Sequence, residues 1–160
     1  MEIEITYSEQ PISQPVSWGL WELVNGYGLV WKEKGIDCHL YIKHRTYWDG
    51  ASTPRILTPI MPKRGINDAA TLVHDVLFES RGYPYITYDY YEENKKVKRI
   101  FTLDEVNTLF YKLLSYHGYP IIRGGVGVLA VEVASPYLWK YHKGKIHKKI
   151  KEYLKKCEHY

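Results

Sequence analysis

The chain has 160 residues, which is enough for one domain with its own core, and its 45% hydrophobic content is typical of a soluble globular protein. Two cysteines without a Cys-x-x-Cys pair exclude a disulfide scaffold and argue against a zinc-finger site. The net charge of +4 comes from the C-terminal segment, because residues 140–160 hold eight lysines against two glutamates. We expect no secretory leader and no transmembrane segment.

The first half of the chain predicts antiparallel β structure. Runs rich in aromatic and β-branched residues indicate strands over 18–24, 28–34 and 38–44. Turns are expected between them, at Asn25–Gly26 and Lys34–Gly35. Pro11 and Pro15 indicate an irregular N-terminal arm before these strands. We therefore expect an antiparallel β-meander over about 16–48.

The second half, over about 66–141, predicts helices. One helix is expected from Asn67 or Asp68 to about Ser80, and a protruding β-hairpin or loop is expected between Tyr83 and Arg99. Together with the meander, these segments predict a single α+β domain over residues 1–160.

The remaining helices follow the hairpin. Thr102 and Glu105 fit the capping box S/T-x-x-E at the start of a helix that should stop at Gly118. A further helix is expected over 122–141, and residues 142–160 predict a basic amphipathic tail helix. The tail has two interpretations: contact with nucleic acid, a membrane surface or an acidic partner, or a lysine face that is simply solvated.

A histidine followed by an aspartate inside an apolar helix is the most informative motif. His74 and Asp75 are adjacent, so their side chains share one flank of the first predicted helix. Burying either group is costly unless it is paired or bound to a metal. Asp104, at the start of the next helix, could accept a hydrogen bond from His74, which could then act as a general base on water. His74 and Asp104 are therefore the predicted catalytic pair.

A second motif, from Asp49 to Pro54, lies in the loop after the last predicted strand. The carboxylates of Asp75 and Asp49 could hold a hard cation such as Ca²⁺ or Mg²⁺. Ser52 is a weaker candidate nucleophile, because no G-x-S-x-G sequence surrounds it.

Each of these residues also has a structural interpretation, which stays open at this point. Asp104 complements the dipole of the helix that it begins. His74 could be a core histidine bonded to Asp49, to Asp104 or to a backbone carbonyl. Asp49 with the glycine that follows it could form a turn. Residues 125–130 match G-x-G-x-x-A, but no strand of sufficient length precedes them, so close helix packing is the better interpretation.

The same motifs resemble the DUF1353 family of uncharacterised proteins, found mostly in tailed bacteriophages and prophages. The family pattern is D-x-A-S-x-P, then H-D-x-L-[YF], then an Asp-led helix ending at a glycine. The matching residues are Asp49, Ala51, Ser52 and Pro54; His74, Asp75, Leu77 and Phe78; and Asp104, Phe110 and Gly118. The resemblance covers about 46–139. It implies a phage or prophage origin, with a location in the host cytoplasm or the virion, and leaves the activity open.

A looser resemblance concerns secreted phospholipase A2, which has H-D-x-C-[YF] in a helix, then a β-hairpin, then a helix whose Asp pairs with the His. It implies that His74 is the general base and that Asp75 binds Ca²⁺. Leu77 stands where that family has a cysteine, and the disulfides and the glycine-rich calcium loop are absent.

Three hypotheses follow for the function. The first is a metal-assisted hydrolase with a His74–Asp104 dyad and a cation near Asp75. The second is a non-enzymatic phage accessory or virion component, in which the same polar residues tie the helices together and the partners are other phage proteins. The third is a small binding protein or inhibitor of a host factor that uses a tyrosine-rich surface, since the chain has 16 tyrosines.

Overall fold

The computed structural model describes residues 2–17, 19–48, 65–79, 88–119 and 140. The described residues form eight strands and two helices. In chain order these are β1 (Ile3–Ser8), β2 (Ser13–Ser17), β3 (Leu20–Leu23), β4 (Tyr27–Glu33), β5 (Ile36–Ile42), β6 (Tyr47–Trp48), α1 (Asp68–Glu79), β7 (Tyr88–Glu92), β8 (Lys95–Lys96) and α2 (Leu103–Tyr116). The tail helix predicted over 142–160 lies outside the described residues, and so does the helix predicted over 122–141 apart from Lys140.

The fold is α+β, and its strands pair antiparallel in two sheets. The main sheet has the order β1-β4-β5-β7-β8, and the small sheet has the order β2-β3-β6. The strands predicted over 18–24, 28–34 and 38–44 are present as β3, β4 and β5. The first of them belongs to the small sheet, so the predicted meander is divided between two sheets.

The turn between β4 and β5 was predicted from its residues and has the expected backbone. Lys34 and Gly35 have φ angles of 52° and 81°, which is the left-handed conformation that a tight two-residue hairpin turn requires. Glu93 and Asn94 adopt the same conformation between β7 and β8, with φ angles of 46° and 66°.

The prediction of an irregular N-terminal arm is wrong, because β1 and β2 occupy that segment. β1 pairs with β4 along its length, and a bulge between Ile5 and Tyr7 interrupts the register. β2 accommodates Pro15 because it is the outer strand of the small sheet and has a bulge between Pro15 and Ser17. A proline lacks the backbone N–H of a ladder, but an edge strand with a bulge does not need every donor.

The hairpin predicted between Tyr83 and Arg99 is present as β7 and β8, but it extends the main sheet instead of protruding. β7 pairs with β5 from Tyr88 to Glu92, and it buries Tyr88 and Tyr90 almost completely. The hydrophobic burial of two tyrosines explains why this segment joins the sheet.

The two helices pack against each other and share one core with the main sheet. α1 is buried along most of its length, including its first residue, Asp68. α2 begins at the predicted capping box: the Glu105 N–H donates to the Thr102 hydroxyl, and the Glu105 carboxylate accepts from the Thr102 N–H. Its end is followed by Gly118, with a φ of 70°. Neither described helix is long and apolar enough to cross a membrane.

Arg99 links three elements of the core. Its guanidinium donates to both carboxylate oxygens of Glu33 on β4, at 2.7 and 3.0 Å. It also donates to Glu105 on α2 and to the Tyr90 hydroxyl on β7, both at 2.8 Å. The side chain is only 15% exposed and lies 4.8 Å from the centre of the Phe101 ring.

Candidate functional site

Helix α1 places His74 and Asp75 on a nearly covered flank. The side chain of His74 is 15% exposed and that of Asp75 is 10% exposed. The apolar stripe predicted for this helix, namely Ala69, Val73, Val76 and Leu77, is buried. His74 and Asp75 are therefore held on a helix whose position is fixed by the core.

The imidazole of His74 packs against two phenylalanine rings. It stacks on Phe78, one turn further along α1, with ring centres 5.3 Å apart and planes at 22°. On the neighbouring helix, the Phe110 ring lies 5.1 Å away at an angle of 58°. Both contacts restrict the orientation of the imidazole and exclude water from it.

Asn107 on α2 supplies the hydrogen-bond partner of His74. The distance from His74 Nε2 to Asn107 Oδ1 is 3.3 Å. With the amide oxygen as acceptor, Nε2 carries the proton of the neutral ring and donates it to Asn107. Nδ1 then holds a lone pair, and it lies 4.0 Å from Oδ1 of Asp75.

Burial lowers the pKa of His74 to about 4, against an ordinary value of 6.5, and the hydrogen bond to Asn107 offsets only part of this effect. The ring is therefore neutral at pH 7. A neutral imidazole with a lone pair on Nδ1 can accept a proton, but each unit of lowered pKa makes that uptake about 1.4 kcal/mol less favourable.

Asp75 is the described residue best placed to act as a cation ligand beside His74. The whole residue is only 8% exposed, and its carboxylate adjoins the imidazole. Ca²⁺ takes roughly six to eight oxygen ligands, so one carboxylate is not sufficient. Among the residues that the structure describes, no group of three or more His, Cys, Asp or Glu side chains could hold a metal ion. A cation at Asp75 would need further oxygen donors, and Asp49, the other predicted ligand, lies outside the described residues.

Of the other predicted site residues, Asp104 lies on the helix that carries Asn107, and the rest fall outside the described part of the chain. Asp104 is exposed in the first turn of α2, and its backbone carbonyl accepts from the Thr108 hydroxyl at 2.7 Å. Ser52 and Pro54, like Asp49, fall in the segment that is not described. The structure brings Asn107, one turn beyond Asp104, to His74. The catalytic roles of His74 and Asp104 stay predictions.

Asn107 was missed by the sequence analysis, although the sequence carries a signal for it. Phe110 and Leu114 follow it at the i+3 and i+7 positions and are buried, so Asn107 lies on an apolar helical line. An asparagine at such a position needs a buried partner. The sequence analysis instead chose Asp104, because its carboxylate lies in the first turn of the same helix.

A second polar cluster, also missed, joins the end of α2 to the main sheet. The hydroxyl of Ser8 lies 2.7 Å from the Tyr27 hydroxyl and 2.8 Å from His117 Nε2. Burial lowers the pKa of His117 and raises the pKa of Tyr27. Within the described part of the chain, no carboxylate bonds to the other ring nitrogen of His117, so the orienting group of a nucleophilic triad is lacking there.

The comparisons with known proteins identify a family. A protein-family model described as "Protein of unknown function (DUF1353)" matches residues 21–131, which begin within β3, extend beyond α2 and include His74, Asp75 and Asn107. No curated protein and no solved structure matches the chain significantly.

Proposed function

We propose a function from the premise that the chain belongs to DUF1353, a family of proteins of unknown function. The proposal is a bacteriophage-encoded, non-enzymatic accessory or virion component that acts in the host cytoplasm or the virion through other phage proteins or a host protein. In this proposal, the polar residues of α1 hold the helices together. The order of the D-x-A-S-x-P, H-D-x-L-F and Asp-led helix motifs supports the phage origin.

The environment of His74 is the observation that supports a non-enzymatic role. Its ring contacts Phe78 and Phe110, and its Nε2 is bonded to Asn107. A general base works best when its pKa lies near the working pH, whereas the pKa of His74 is about 4. An amide partner also stabilises an imidazolium less than a carboxylate does. These features suit a permanent neutral link between α1 and α2.

A specific observation favours a second candidate, a metal-assisted hydrolase. In the tautomer that donates to Asn107, the lone pair of His74 Nδ1 is on the same flank as the Asp75 carboxylate. A water held there by a cation on Asp75 would lie beside a fixed base. Asp75 and Asp49 are the proposed ligands of Ca²⁺ or Mg²⁺.

Hydrolysis assays separate the two candidates. Wild type, His74→Gln and His117→Gln would be assayed on p-nitrophenyl acetate and bis-p-nitrophenyl phosphate with EDTA, Ca²⁺ or Mg²⁺. We expect no turnover above the protein-free rate for any of them. Cation-dependent turnover that His74→Gln abolishes and His117→Gln retains would overturn the non-enzymatic proposal.

Recovery of the protein from phage particles tests the proposed virion or accessory role. Mass spectrometry of gradient-purified particles from a lysogen that encodes the chain should find a virion component at a constant ratio to the capsid protein. An accessory protein should instead remain in the particle-free lysate. A gene for this chain that lies outside any phage or prophage would contradict the proposed origin.

A further inference from the structure

A serine and a histidine that are distant in the sequence meet at the end of α2. Ser8 is the last residue of β1, and His117 is the residue that caps α2. The Ser8 hydroxyl lies 2.8 Å from Nε2 of His117, which is an ordinary hydrogen-bond distance. Nucleophilic catalysis uses this pairing, because the imidazole can take the hydroxyl proton as the oxygen attacks.

The contacts around Ser8 favour one arrangement of the protons. Burial raises the pKa of Tyr27 well above its usual value, so its hydroxyl keeps its proton. That hydroxyl lies 2.7 Å from the Ser8 oxygen and can donate to it. Ser8 then donates to His117 rather than to the backbone carbonyl of Glu9, which is farther away at 3.4 Å. The chain of hydrogen bonds therefore leads from Tyr27 through Ser8 to Nε2 of His117.

His117 is in the right state to accept the proton. Burial lowers its pKa, so the imidazole is neutral at pH 7. Its position is held by the Tyr116 ring, which lies 5.2 Å away at an angle of 84°, and by the bond from its backbone N–H to the Leu113 carbonyl. When Ser8 loses its proton, the Tyr27 hydroxyl stabilises the negative charge that develops on the serine oxygen.

The surroundings of Ser8 are aromatic and include a carboxylate. Tyr7 and Tyr116 are exposed, and both lie near enough to add to the raised pKa of Tyr27. A hydrogen bond to the Glu9 carboxylate raises the pKa of Tyr7. A carboxylate here disfavours an anionic group such as a phosphate, whereas exposed rings suit an uncharged, apolar group. The reactant that fits Ser8 is therefore an uncharged acyl group.

We propose that Ser8 is an acylation site, whose hydroxyl accepts the acyl group of an uncharged, activated ester or thioester and retains it. The serine oxygen bonds to the carbonyl carbon while Nε2 of His117 takes the hydroxyl proton. The bond from that carbon to the leaving group then breaks, and the imidazolium gives the proton to the leaving group. Within the described part of the chain, no carboxylate orients His117 to activate water, so the serine ester persists.

Reaction with p-nitrophenyl acetate at pH 7, followed by peptide mass spectrometry, tests the proposal. In folded wild type, we expect Ser8 to be acetylated roughly 100-fold faster than Ser115, an exposed serine near the end of α2. His117→Gln should slow the acetylation of Ser8 about 100-fold, which is the contribution of a general base. Ser115→Ala is the matched control and should leave the acetylation of Ser8 unchanged.

A second measurement does not depend on whether a variant folds. Wild type unfolded in urea keeps both serines but separates Ser8 from His117, so the preference for Ser8 over Ser115 should disappear. Circular dichroism of His117→Gln shows whether its slower reaction reflects a folded protein.

Three results would overturn the proposal. The first is acetylation of Ser8 no faster than that of Ser115 in folded wild type, and the second is a preference for Ser8 that persists in urea. The third is sustained release of p-nitrophenol that Ser8→Ala abolishes, because the ester would then be hydrolysed. The first two results leave the proposed accessory role intact, whereas cation-dependent turnover that His74→Gln abolishes would contradict that role alone.

Discussion

His74 is neutral because of where its ring is buried, and this has a consequence for stability. The pKa is about 4 in the folded protein, against 6.5 for an ordinary histidine. Between these two values the unfolded chain binds the proton and the folded protein does not. The contribution of His74 is therefore fully present above pH 6.5 and is lost as the pH falls towards 4.

We predict that His74→Gln flattens the pH dependence of the free energy of unfolding. Wild type should lose roughly 3 kcal/mol through His74 between pH 6.5 and 4, since each pKa unit corresponds to about 1.4 kcal/mol. Urea unfolding of both proteins across this range measures the difference. His117→Gln serves as the control, because it removes a second described histidine with a lowered pKa and leaves His74 in place. Parallel curves for wild type and His74→Gln would contradict the burial of a neutral ring.

Adding or removing a carboxylate on α2 tests which residue is the hydrogen-bond partner of His74. A carboxylate at position 107 would favour the imidazolium, so Asn107→Asp should raise the pKa of His74 by about 1 to 3 units. Asp104→Asn should leave it nearly unchanged, because Asp104 is exposed at the start of α2. NMR titration of the histidine Cε1–H signals measures both. A larger shift in Asp104→Asn than in Asn107→Asp would show that Asp104 is the effective partner.

At the scale of residues, the sequence indicated the His74–Asp75 motif but not Asn107, the hydrogen-bond partner of His74. The H-D pair pointed to a buried polar site because neither residue suits an apolar helix alone. Choosing between Asp104 and Asn107 requires the rotation of α2 about its axis, and the capping box fixes only where that helix begins. The buried residues Phe110 and Leu114 indicate which face of α2 is turned inward, but the contact of Phe110 with the imidazole joins two helices and is visible only in the structure.

Among the elements, Arg99 links β4, β7 and α2 through its side-chain hydrogen bonds. Its bidentate contact with Glu33 lowers the pKa of that carboxyl group. The guanidinium fork lets one side chain bond Glu33, Glu105 and Tyr90 together, which a lysine ammonium cannot reproduce. Because Arg99 and Glu33 are only 15% and 13% exposed, the ion pair is poorly screened by solvent.

Replacing Arg99 should destabilise the protein more as more of its hydrogen bonds are removed. We expect Arg99→Met to lower the free energy of unfolding by roughly 3 kcal/mol, because it leaves Glu33 partly buried without its partner. Arg99→Lys should cost about 1 to 2 kcal/mol. Lys96→Met, which removes a solvent-exposed ion pair with Asp89, should cost roughly 0 to 1 kcal/mol. Urea unfolding of the three variants ranks them, and an Arg99→Lys protein as stable as wild type would contradict the requirement for the fork.

The elements themselves were largely visible in the sequence. Thr102 and Glu105 marked the start of α2, and Lys34–Gly35 marked the β4–β5 turn, because both signals are local. Pro15 misled the prediction because its compatibility with a strand depends on the strand being at an edge, which is a property of the sheet. The path of β7 beside β5 could not be predicted either, since it depends on Tyr88 and Tyr90 being buried under distant parts of the chain.

At the scale of the whole molecule, the two faces of the main sheet have different surroundings. Its inner face shares one core with α1 and α2, and the bond between His74 and Asn107 joins the two helices. On the opposite face of the main sheet, Tyr7, His39, Tyr41 and Tyr91 alternate with the buried positions.

Thermal unfolding of wild type and His74→Ala, each with EDTA, Ca²⁺ or Mg²⁺, tests the central claim that His74 is a structural link. The account predicts one midpoint for wild type in all three conditions, and a loss of about 2 to 4 kcal/mol in His74→Ala from the vacated ring site and the unpaired Asn107. A cation that binds only the folded protein would raise its midpoint by mass action. A clear rise with Ca²⁺ or Mg²⁺, together with a His74→Ala protein nearly as stable as wild type, would contradict the account and favour the hydrolase.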